Sequence, residues 1–303
     1  MTVPRTVPRT VPRTAICSGN QGGNFAGDVM ADALADEVAN LLREVGDTLI
    51  LPRYGALEES DIDTKSGPTD LVTIADKEAE LWLTPRLRAL VDCPVIGEEA
   101  CAAAPEILKA VCDARAWTVD PVDGTSNFVQ GNDRFCSMIA LLERGVPVAS
   151  WIWMPLTGEL FYAAKGEGAR LVTAKSRQAL GVDQGAGDLQ AMRGGGNALG
   201  MSEPRRTKVR TELRSLPGRR FPGSSGVLGA EIARGDSHFL FHGKCTAWDH
   251  APVDLLCREA GAFAAMIADE QPFTADRTEP FLVTPTRRDW HDFRDTVWKL
   301  PSD

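Results

Sequence analysis

The sequence predicts a protein of mixed α and β structure (α+β or α/β) in which helices and sheets alternate in layers. Three observations support this prediction. Two amphipathic helices lie near the N-terminus, an antiparallel meander occupies the middle of the chain, and helix-like and strand-like segments alternate in the last third. With 303 residues and 43% hydrophobic content, the chain is long enough to bury a large core.

The first helical region is predicted over residues 32–52, where Pro52 ends it. Its apolar residues recur at helical spacing: Leu34, Val38, Leu41, Leu42, Val45 and Leu49. A second helix is predicted over residues 74–91, with Trp82 and Leu83 on its apolar side. The runs "PVIGEE" and "AWTVDP" that follow are typical of short buried strands, and both lead into carboxylates.

Residues 135–171 change character and predict an antiparallel meander, because β-type runs are separated there by glycine-containing turns. Trp151 and Trp153 lie in this meander, either in the core or on a face that contacts a second copy. The stretch 181–188, "GVDQGAGD", is the best candidate for a linker. Beyond it, alternating strands and helices predict a smaller α/β half.

The N-terminus predicts an extended tail. The tetrapeptide TVPR occurs three times in succession after Met1, and a proline at every fourth residue excludes a helix. We therefore divide the chain into a tail (1–28), an N-terminal α+β half with the metal site (29–187) and a C-terminal α/β half that completes the active site (188–303).

Charge and composition exclude several classes of protein. The net charge of −9 makes a nucleic-acid partner unlikely, because such proteins normally carry a basic surface. No run of about 18 apolar residues predicts a membrane span. The seven cysteines contain no C-x-x-C pair, which favours reduced thiols in a cytoplasmic protein over a zinc site or a disulfide framework.

The stretch "WTVDPVDGTSNF" contains two aspartates, Asp120 and Asp123, three residues apart after a strand. Pro121 takes the chain out of regular pairing, and Gly124 permits an unusual turn. The two carboxylates and the Val122 carbonyl could then face one magnesium ion, which also counters the repulsion between like charges. The alternative on this stretch alone is a solvated turn in which Asp123 caps a helix.

Three other segments place acidic residues at the ends of predicted elements. "IGEEA" carries Glu98 and Glu99 at a strand end, and "AWDHAPVD" carries Asp249 at a helix start. "GPTDLVTIAD" carries acidic and hydroxyl groups before the second helix, namely Asp70, Thr73 and Asp76. Several carboxylates at element ends favour a multi-metal phosphate site over independent helix caps.

In this order and spacing the motifs resemble those of the inositol monophosphatase family, which are magnesium-dependent, lithium-sensitive phosphomonoesterases. The matching motifs are G-E-E at 97–99, D-P-V-D-G-T-S-N-F at 120–128, and W-D-H-A at 248–251 with E-A-G at 259–261. The resemblance extends over about residues 30–300. It implies a five-layer αβαβα sandwich with a helix pair on an antiparallel sheet, a homodimer, and two or three Mg²⁺ ions.

The resemblance also implies a role for each motif residue. Metal ligands are expected at Glu98, Asp120, the Val122 carbonyl, Asp123 and Asp249. Thr125, paired with Asp70, is expected to orient the attacking water, so that Asp70, Glu98 and Thr125 form the catalytic group. The substrate is expected to contact the amides of Gly124 and Thr125 and the loop formed by Gly223, Ser224 and Ser225.

Substrate identity does not follow from the resemblance. Seven residues before Asp249, inositol phosphatases usually carry a glutamate that contacts inositol hydroxyls, whereas this chain has His242, with Lys244 close by. A histidine can donate a hydrogen bond and a lysine adds positive charge, which favours a leaving group with an acceptor or an anion. Alternatively, both residues lie in a solvated loop.

The leading prediction is a phosphomonoesterase that acts on a small polyol, sugar or amino-alcohol phosphate through a metal-activated water. The alternatives within the same class are histidinol-phosphate phosphatase and 3′-phosphoadenosine 5′-phosphate phosphatase. The alternative from another class is a non-catalytic protein that keeps the fold and binds a partner. The intact set of carboxylates argues against this last possibility.

Overall fold

A computed structural model of the chain describes residues 28–65, 71–185 and 187–300. The α-helices are α1 (Asp28–Val45), α2 (Ile74–Leu90), α3 (Glu98–Ala103), α4 (Thr125–Val129), α5 (Arg205–Ser215), α6 (Ser225–Arg234), α7 (Ala247–Glu259) and α8 (Arg287–Phe293). The strands are β1 (Ile62–Thr64), β2 (Leu71–Thr73), β3 (Val95–Gly97), β4 (Ala116–Asp123), β5 (Cys136–Glu143), β6 (Val146–Met154), β7 (Glu159–Ala164), β8 (Gly168–Val172), β9 (Arg177–Ala179), β10 (Arg193–Asn197), β11 (Gly218–Arg219), β12 (Phe239–His242), β13 (Phe263–Met266) and β14 (Phe281–Thr284).

The first layer consists of α1 and α2, as the periodicity predicts. After α1 the chain continues through a π-helical turn and a 3₁₀ turn that contains Pro52, so the helical region ends where expected. Thr73 caps α2 by accepting a hydrogen bond from the Ala75 N–H. The apolar faces of both helices pack on one face of the large sheet, around Trp117 and Trp151.

The large sheet has the strand order β3-β4-β5-β6-β7-β8-β9. From β4 onward all neighbours are antiparallel, in agreement with the predicted meander, whereas β3 pairs parallel with β4. This one parallel pair matters for function because it brings the ends of β3 and β4, and the carboxylates that follow them, to the same edge of the sheet.

The middle layer consists of α6 and α7, which lie between the large sheet and a smaller one. Nearly all of α6 and most of α7 are buried, because both helices have a sheet on either side. An apolar surface around such helices is expected when they occupy the interior of a layered domain.

The smaller sheet has the order β11-β10-β12-β14-β13, with parallel and antiparallel pairs. Helices α5 and α8 cover its outer face around Phe239 and Trp290. The predicted succession of five alternating layers is therefore confirmed. The division at residues 187 and 188 stays a prediction, and the predicted tail lies outside the described residues except for Asp28, where α1 begins.

The structure confirms the core placement of the two tryptophans over a contact face, and it contradicts the expectation for the cysteines. Trp151 and Trp153 are 0% and 3% exposed beneath the first layer, so they cannot form a contact face for a second copy. The thiols of five cysteines are free, but Cys112 is disulfide-bonded, so reduced thiols are not found throughout. Across the residues that the structure describes, none of the helices is both long and apolar enough to cross a membrane.

Candidate active site

The first carboxylate of the site, Glu98, is placed by the parallel pairing of β3 and β4. Gly97 lies opposite Val119, so Glu98, in the first turn of α3, lies beside Asp120 on the neighbouring strand. The N-terminus of α3 is held by Glu80 of α2, whose carboxylate accepts hydrogen bonds from the amides of Glu99 and Ala100 at 2.8 Å each.

The second element of the site is the end of β4. The register with β5 shifts between Asp120 and Asp123, so the strand bulges at the Asp-Pro-Val-Asp sequence. Gly124 follows with φ of +98°, and a side chain there would place its Cβ 2.8 Å from the Arg134 carbonyl oxygen. A glycine is therefore required for the chain to leave β4 and enter α4.

Asp249, in the first turn of α7, completes the cluster. Oxygens of Glu98, Asp120 and Asp249 lie within 4.8 Å of one another, and the carboxyl groups of Asp120 and Asp249 share a hydrogen bond. Two carboxyl oxygens can be hydrogen-bonded only if one carries a proton. The structure therefore brings together three of the four predicted metal-binding carboxylates.

Burial and mutual repulsion change the acidity of these groups. The pKa of Asp120 is raised well above its usual value, first by burial and then by the charges of Glu98, Asp123 and Asp249. Burial, and then Asp123 and Glu98, raise the pKa of Asp249 to about 7. Without a cation the cluster therefore favours partial protonation, and a cation relieves the repulsion.

Asp123 is engaged differently from the other three carboxylates. Its Oδ2 atom accepts hydrogen bonds from the Ser224 hydroxyl and the Gly226 amide, each at 2.6 Å, at the start of α6. The Ser225 hydroxyl donates to its Oδ1 atom at 3.3 Å. Ser224 and Ser225 are 1% and 3% exposed. Their hydroxyls thus contact a carboxylate of the site, and not an open substrate cleft as expected from the sequence; Gly223, next to them, is exposed.

Lys65 is a member of the site that the sequence analysis missed. Its Nζ atom lies 2.6 Å from an oxygen of Glu98 and 2.6 Å from an oxygen of Glu99. Burial lowers the pKa of this lysine, but its two carboxylate neighbours outweigh that effect and raise it. Lys65 therefore carries a full positive charge against Glu98. No sequence motif indicated Lys65, because it lies outside the acidic segments and 33 residues before Glu98.

Thr125 contacts Asp76, which the sequence did not predict as its partner. The Thr125 hydroxyl lies 3.3 Å from Oδ1 of Asp76 and 3.1 Å from the Val122 carbonyl oxygen, with one proton to donate. The expected partner, Asp70, lies outside the described residues. The Thr73-x-x-Asp76 spacing of a capping box was visible in the sequence, and it fixes Asp76 at the start of α2.

The two residues proposed to contact the leaving group are placed differently from each other. Lys244 is exposed. His242 is 5% exposed at the end of β12, and its Nδ1 atom lies 2.8 Å from Nε2 of His250. Burial lowers the pKa of His242 to about 4, so this side chain is neutral near pH 7. The alternative of a solvated loop histidine is therefore wrong.

The donor set of the cluster fits magnesium. Its ligands are hard oxygen atoms on buried or half-buried carboxylates that repel one another. Cysteine and histidine, which would favour zinc, are absent from the three-residue cluster.

The layered fold and the carboxylate cluster are together those of a metal-dependent phosphomonoesterase. The chain belongs to the inositol monophosphatase family, whose sequence profile matches residues 33–292.

Several known proteins are similar to this chain. It is 32% identical over 216 residues to the inositol-1-monophosphatase of Rhizobium meliloti, an alignment that covers 70% of this chain and 77% of the relative. A protein of Xylella fastidiosa named Nus factor SuhB is 31% identical over 229 residues, which cover 73% and 77%. Among solved structures, an IMPase of Thermotoga maritima superposes with a TM-score of 0.71 at 24% identity, covering 87% of this chain and 97% of the other. An IMPase/NADP phosphatase complexed with Mg²⁺ and phosphate gives 0.68 at 18% identity, covering 88% and 95%.

Proposed function

We propose that this chain hydrolyses the phosphate monoester of a small metabolite with the help of two or three magnesium ions. The observation that carries the proposal is the convergence of Glu98, Asp120 and Asp249 from three separate elements on one point. Asp123 and the Val122 carbonyl, at the end of the same strand as Asp120, complete the proposed ligand set. Magnesium bound there lowers the pKa of water and neutralises charge on the phosphoryl oxygens.

Thr125 and Asp76 are proposed to position the attacking water. A carboxylate that accepts the threonine proton leaves the hydroxyl oxygen free to accept a hydrogen bond from water, which orients a lone pair of the water toward phosphorus. The role predicted from the sequence for Asp70 stays a prediction, and the contact with Thr125 supports Asp76 in the same role. The amides of Gly124 and Thr125, at the turn that follows β4, are proposed to bind the phosphate.

Lys65 is proposed to hold Glu98 in place before metal loading. Its ammonium group lies where a cation is favoured, between two carboxylates. Glu98 can then turn toward the metal position while Glu99 keeps the lysine. Glu98 and Glu99 therefore keep a cationic partner until magnesium binds.

The leaving group is proposed to lie near the end of β12 and the loop after it, where His242 and Lys244 are found, and near Gly223 in the loop before α6. Lys244 is free to attract an anionic leaving group from solvent. A sugar or polyol phosphate with an additional anionic or acceptor group fits this environment best. Histidinol phosphate and 3′-phosphoadenosine 5′-phosphate remain the alternative substrates.

A non-catalytic role is the second candidate, since one relative is named Nus factor SuhB. The cluster of three carboxylates argues for catalysis, because a protein that only binds partners has no reason to keep like charges within 4.8 Å of one another. The overall net charge of −9 makes nucleic acid an unlikely partner. We further propose a cytoplasmic homodimer, on the resemblance to the family.

A screen for phosphate release tests the proposal directly. The purified chain is incubated with a panel of phosphate monoesters, including myo-inositol 1-phosphate, with Mg²⁺ and with EDTA. We expect magnesium-dependent release from several esters, and a low kcat/KM for inositol 1-phosphate because His242 replaces the usual glutamate. If inositol 1-phosphate is the best substrate, the proposed leaving-group preference is wrong. If no ester is hydrolysed, the proposed activity is wrong.

A further inference from the structure

A chain of hydrogen bonds joins the backbone at Thr246 to the edge of His242 through His250. The backbone N–H of Thr246 lies 3.1 Å from Nδ1 of His250, and Nε2 of His250 lies 2.8 Å from Nδ1 of His242. Both histidines are buried, at 1% and 5% exposure. Two neighbouring imidazoles can share such a bond only if one ring donates and the other accepts.

The backbone determines the direction of this chain of hydrogen bonds. A backbone N–H can only donate, and within the described residues Nδ1 of His250 is the acceptor found for Thr246. The Thr246 carbonyl oxygen also lies 3.1 Å from this nitrogen, and it could accept a second hydrogen bond besides the one from the His250 backbone N–H at 3.3 Å. A proton on Nδ1 would, however, leave the Thr246 N–H without an acceptor among the described residues. The satisfied arrangement therefore has an unprotonated Nδ1 on His250 and its proton on Nε2.

The same argument assigns the proton of His242. His250 donates from Nε2, so Nδ1 of His242 must accept, and a neutral imidazole then carries its proton on Nε2. In the described part of the chain this Nε2 atom is buried and has no hydrogen-bond partner. The ring of Phe221 packs against His242 at 5.5 Å and 83°, and an aromatic face is at most a weak acceptor.

The pair of histidines is joined to the metal-binding cluster through the backbone of α7. His250 follows Asp249 directly on α7, and Phe221 belongs to the loop that continues to Ser224, the partner of Asp123. The Pro222 carbonyl in that loop accepts a hydrogen bond from Asn127 of α4, which ties the loop to the end of β4. An acceptor on the leaving group that reaches Nε2 of His242 would find a donor without another partner in the described part of the chain.

We propose that His250 is a positioning residue that makes His242 a hydrogen-bond donor, and that the enzyme thereby selects phosphate esters whose leaving group carries an acceptor without a proton. A carboxylate, a carbonyl or a second phosphate has this chemistry. An ammonium group does not, because it can only donate, so amino-alcohol phosphates are disfavoured. The substrate half of this inference rests on the proposed function, whereas the tautomers do not.

The tautomers are measured by NMR, with or without catalysis. Long-range ¹H–¹⁵N spectra of protein labelled at histidine nitrogen are recorded at neutral pH. The chain has four histidines, so His242→Gln and His250→Gln suffice to assign both rings. We expect protonated Nε2 and unprotonated Nδ1 on each ring. A proton on Nδ1 of either ring would overturn the inference.

The selectivity is measured with three esters of equal length that differ only in the terminal group. These are 2-phosphoglycolate with a carboxylate, 2-hydroxyethyl phosphate with a hydroxyl, and phosphoethanolamine with an ammonium group. We expect kcat/KM for the carboxylate ester to exceed that for the ammonium ester by about tenfold or more, since one polar contact in a closed site has an effect of this order. Because Lys244 also favours anions, the comparison is repeated with Lys244→Met.

Two nearly isosteric substitutions at His250 separate positioning from packing. His250→Gln can still donate to His242 and should keep the preference for the carboxylate ester. His250→Glu can only accept when ionised, so it would move the proton of His242 to Nδ1 and leave Nε2 as an acceptor, which reverses the preference. Equal selectivity in both variants would overturn the inference, as would a wild-type preference for phosphoethanolamine.

The outcomes distinguish this inference from the proposed function. Hydrolysis of all three esters at similar rates would leave the phosphatase activity intact and refute the role of His242. Absence of magnesium-dependent release from every ester would refute the proposed function together with the substrate preference. Should His250→Glu fail to fold, His242→Glu also replaces the proposed donor by an acceptor. The selectivity of that variant between the carboxylate ester and the ammonium ester then decides.

Discussion

Asp120 and Asp123 lie three residues apart, yet their surroundings differ. Asp120 shares a hydrogen bond with Asp249 and has other acids as its main charged neighbours, whereas Asp123 accepts several hydrogen bonds from the start of α6. The two residues therefore contribute to the site in different ways. Asp120 depends on a cation, and Asp123 also connects the end of β4 to the start of α6.

Replacing Asp120 by asparagine should abolish magnesium-dependent phosphate release, because the site loses the carboxylate that Glu98 and Asp249 both adjoin. The same change should raise the melting temperature in metal-free buffer, since it removes one member of a repelling group. Thermal unfolding with EDTA and with Mg²⁺ checks both effects. Asp47→Asn, on an exposed residue, is the control and should change neither. Substantial turnover by Asp120→Asn would refute the metal site.

Thr125 and Asp76 can be tested as a pair. Thr125→Val removes the hydroxyl without changing the size of the side chain, and should lower kcat by about a hundredfold while KM changes little. Thr125→Ser keeps the hydroxyl and is the matched control, which should stay close to wild type. Asp76→Asn should resemble Thr125→Val in kcat. If Thr125→Val retains full activity, neither residue orients the water.

At the scale of elements, the start of α6 links helix stability to the metal site. The Ser224 hydroxyl oxygen accepts from the Val227 amide, as an N-cap does, while its proton is donated to Asp123. The side chain of Ser224 thus caps the N-terminus of α6 and also orients a proposed metal ligand. Gly226 permits the close approach, because a Cβ at this position would clash with the sulfur atoms of Cys136 and Met138.

Ser224→Ala should therefore have two effects. Loss of the cap and of the hydrogen bond to a buried carboxylate should lower the free energy of unfolding by about 2 kcal/mol. Loss of the bond to Asp123 should also change the magnesium concentration needed for half-maximal activity. Thr286→Ala removes the equivalent cap of α8, outside the site, and is the control. It should lower stability by about 1 kcal/mol and leave the magnesium dependence unchanged. Identical magnesium dependence in both variants would contradict the link.

For the molecule as a whole, buried acids predict how metal-free stability depends on pH. Burial raises the pKa of Asp76, Glu80 and Asp249 to about 7 each. A carboxyl group whose folded pKa is raised stabilises the fold at low pH, where it is protonated, and this contribution disappears as the pH rises through the folded value. The melting temperature in EDTA should therefore fall between about pH 4, near the pKa of these groups in the unfolded chain, and about pH 7, near their pKa in the folded protein. Saturating Mg²⁺ should flatten the dependence, and a metal-free profile that rises over this range would contradict the prediction.

Lithium should inhibit the enzyme, with uncompetitive or nearly uncompetitive kinetics. The expectation comes from family membership, together with an oxygen-rich site that suits a small hard cation. Initial rates are measured at limiting Mg²⁺ with increasing LiCl, and KCl at the same ionic strength is the control. Activity that is unaffected by high lithium would indicate that the ligand set has been identified wrongly.

Much of the fold follows from local sequence. Helical periodicity marks α1 and α2, glycine-containing turns mark the meander, and the motif from Asp120 to Phe128 marks the bulge and the turn after β4. These features are local, because they depend on spacing and turn residues within a few positions. The order and spacing of the motifs were also sufficient to predict the family and the residues of the acidic cluster.

Only the tertiary structure decided which side chains meet. Thr125 and Asp76 are 49 residues apart, and Ser224 and Asp123 are 101 residues apart, so no local pattern could pair them. Lys65 contacts Glu98 and not solvent, and His242 is buried against His250 and not exposed in a loop, because strand pairing and layer packing place them there. The sequence by itself determined which chemical groups the site contains. The packing of five layers determined their partners, their protonation and the direction in which each can donate a hydrogen bond.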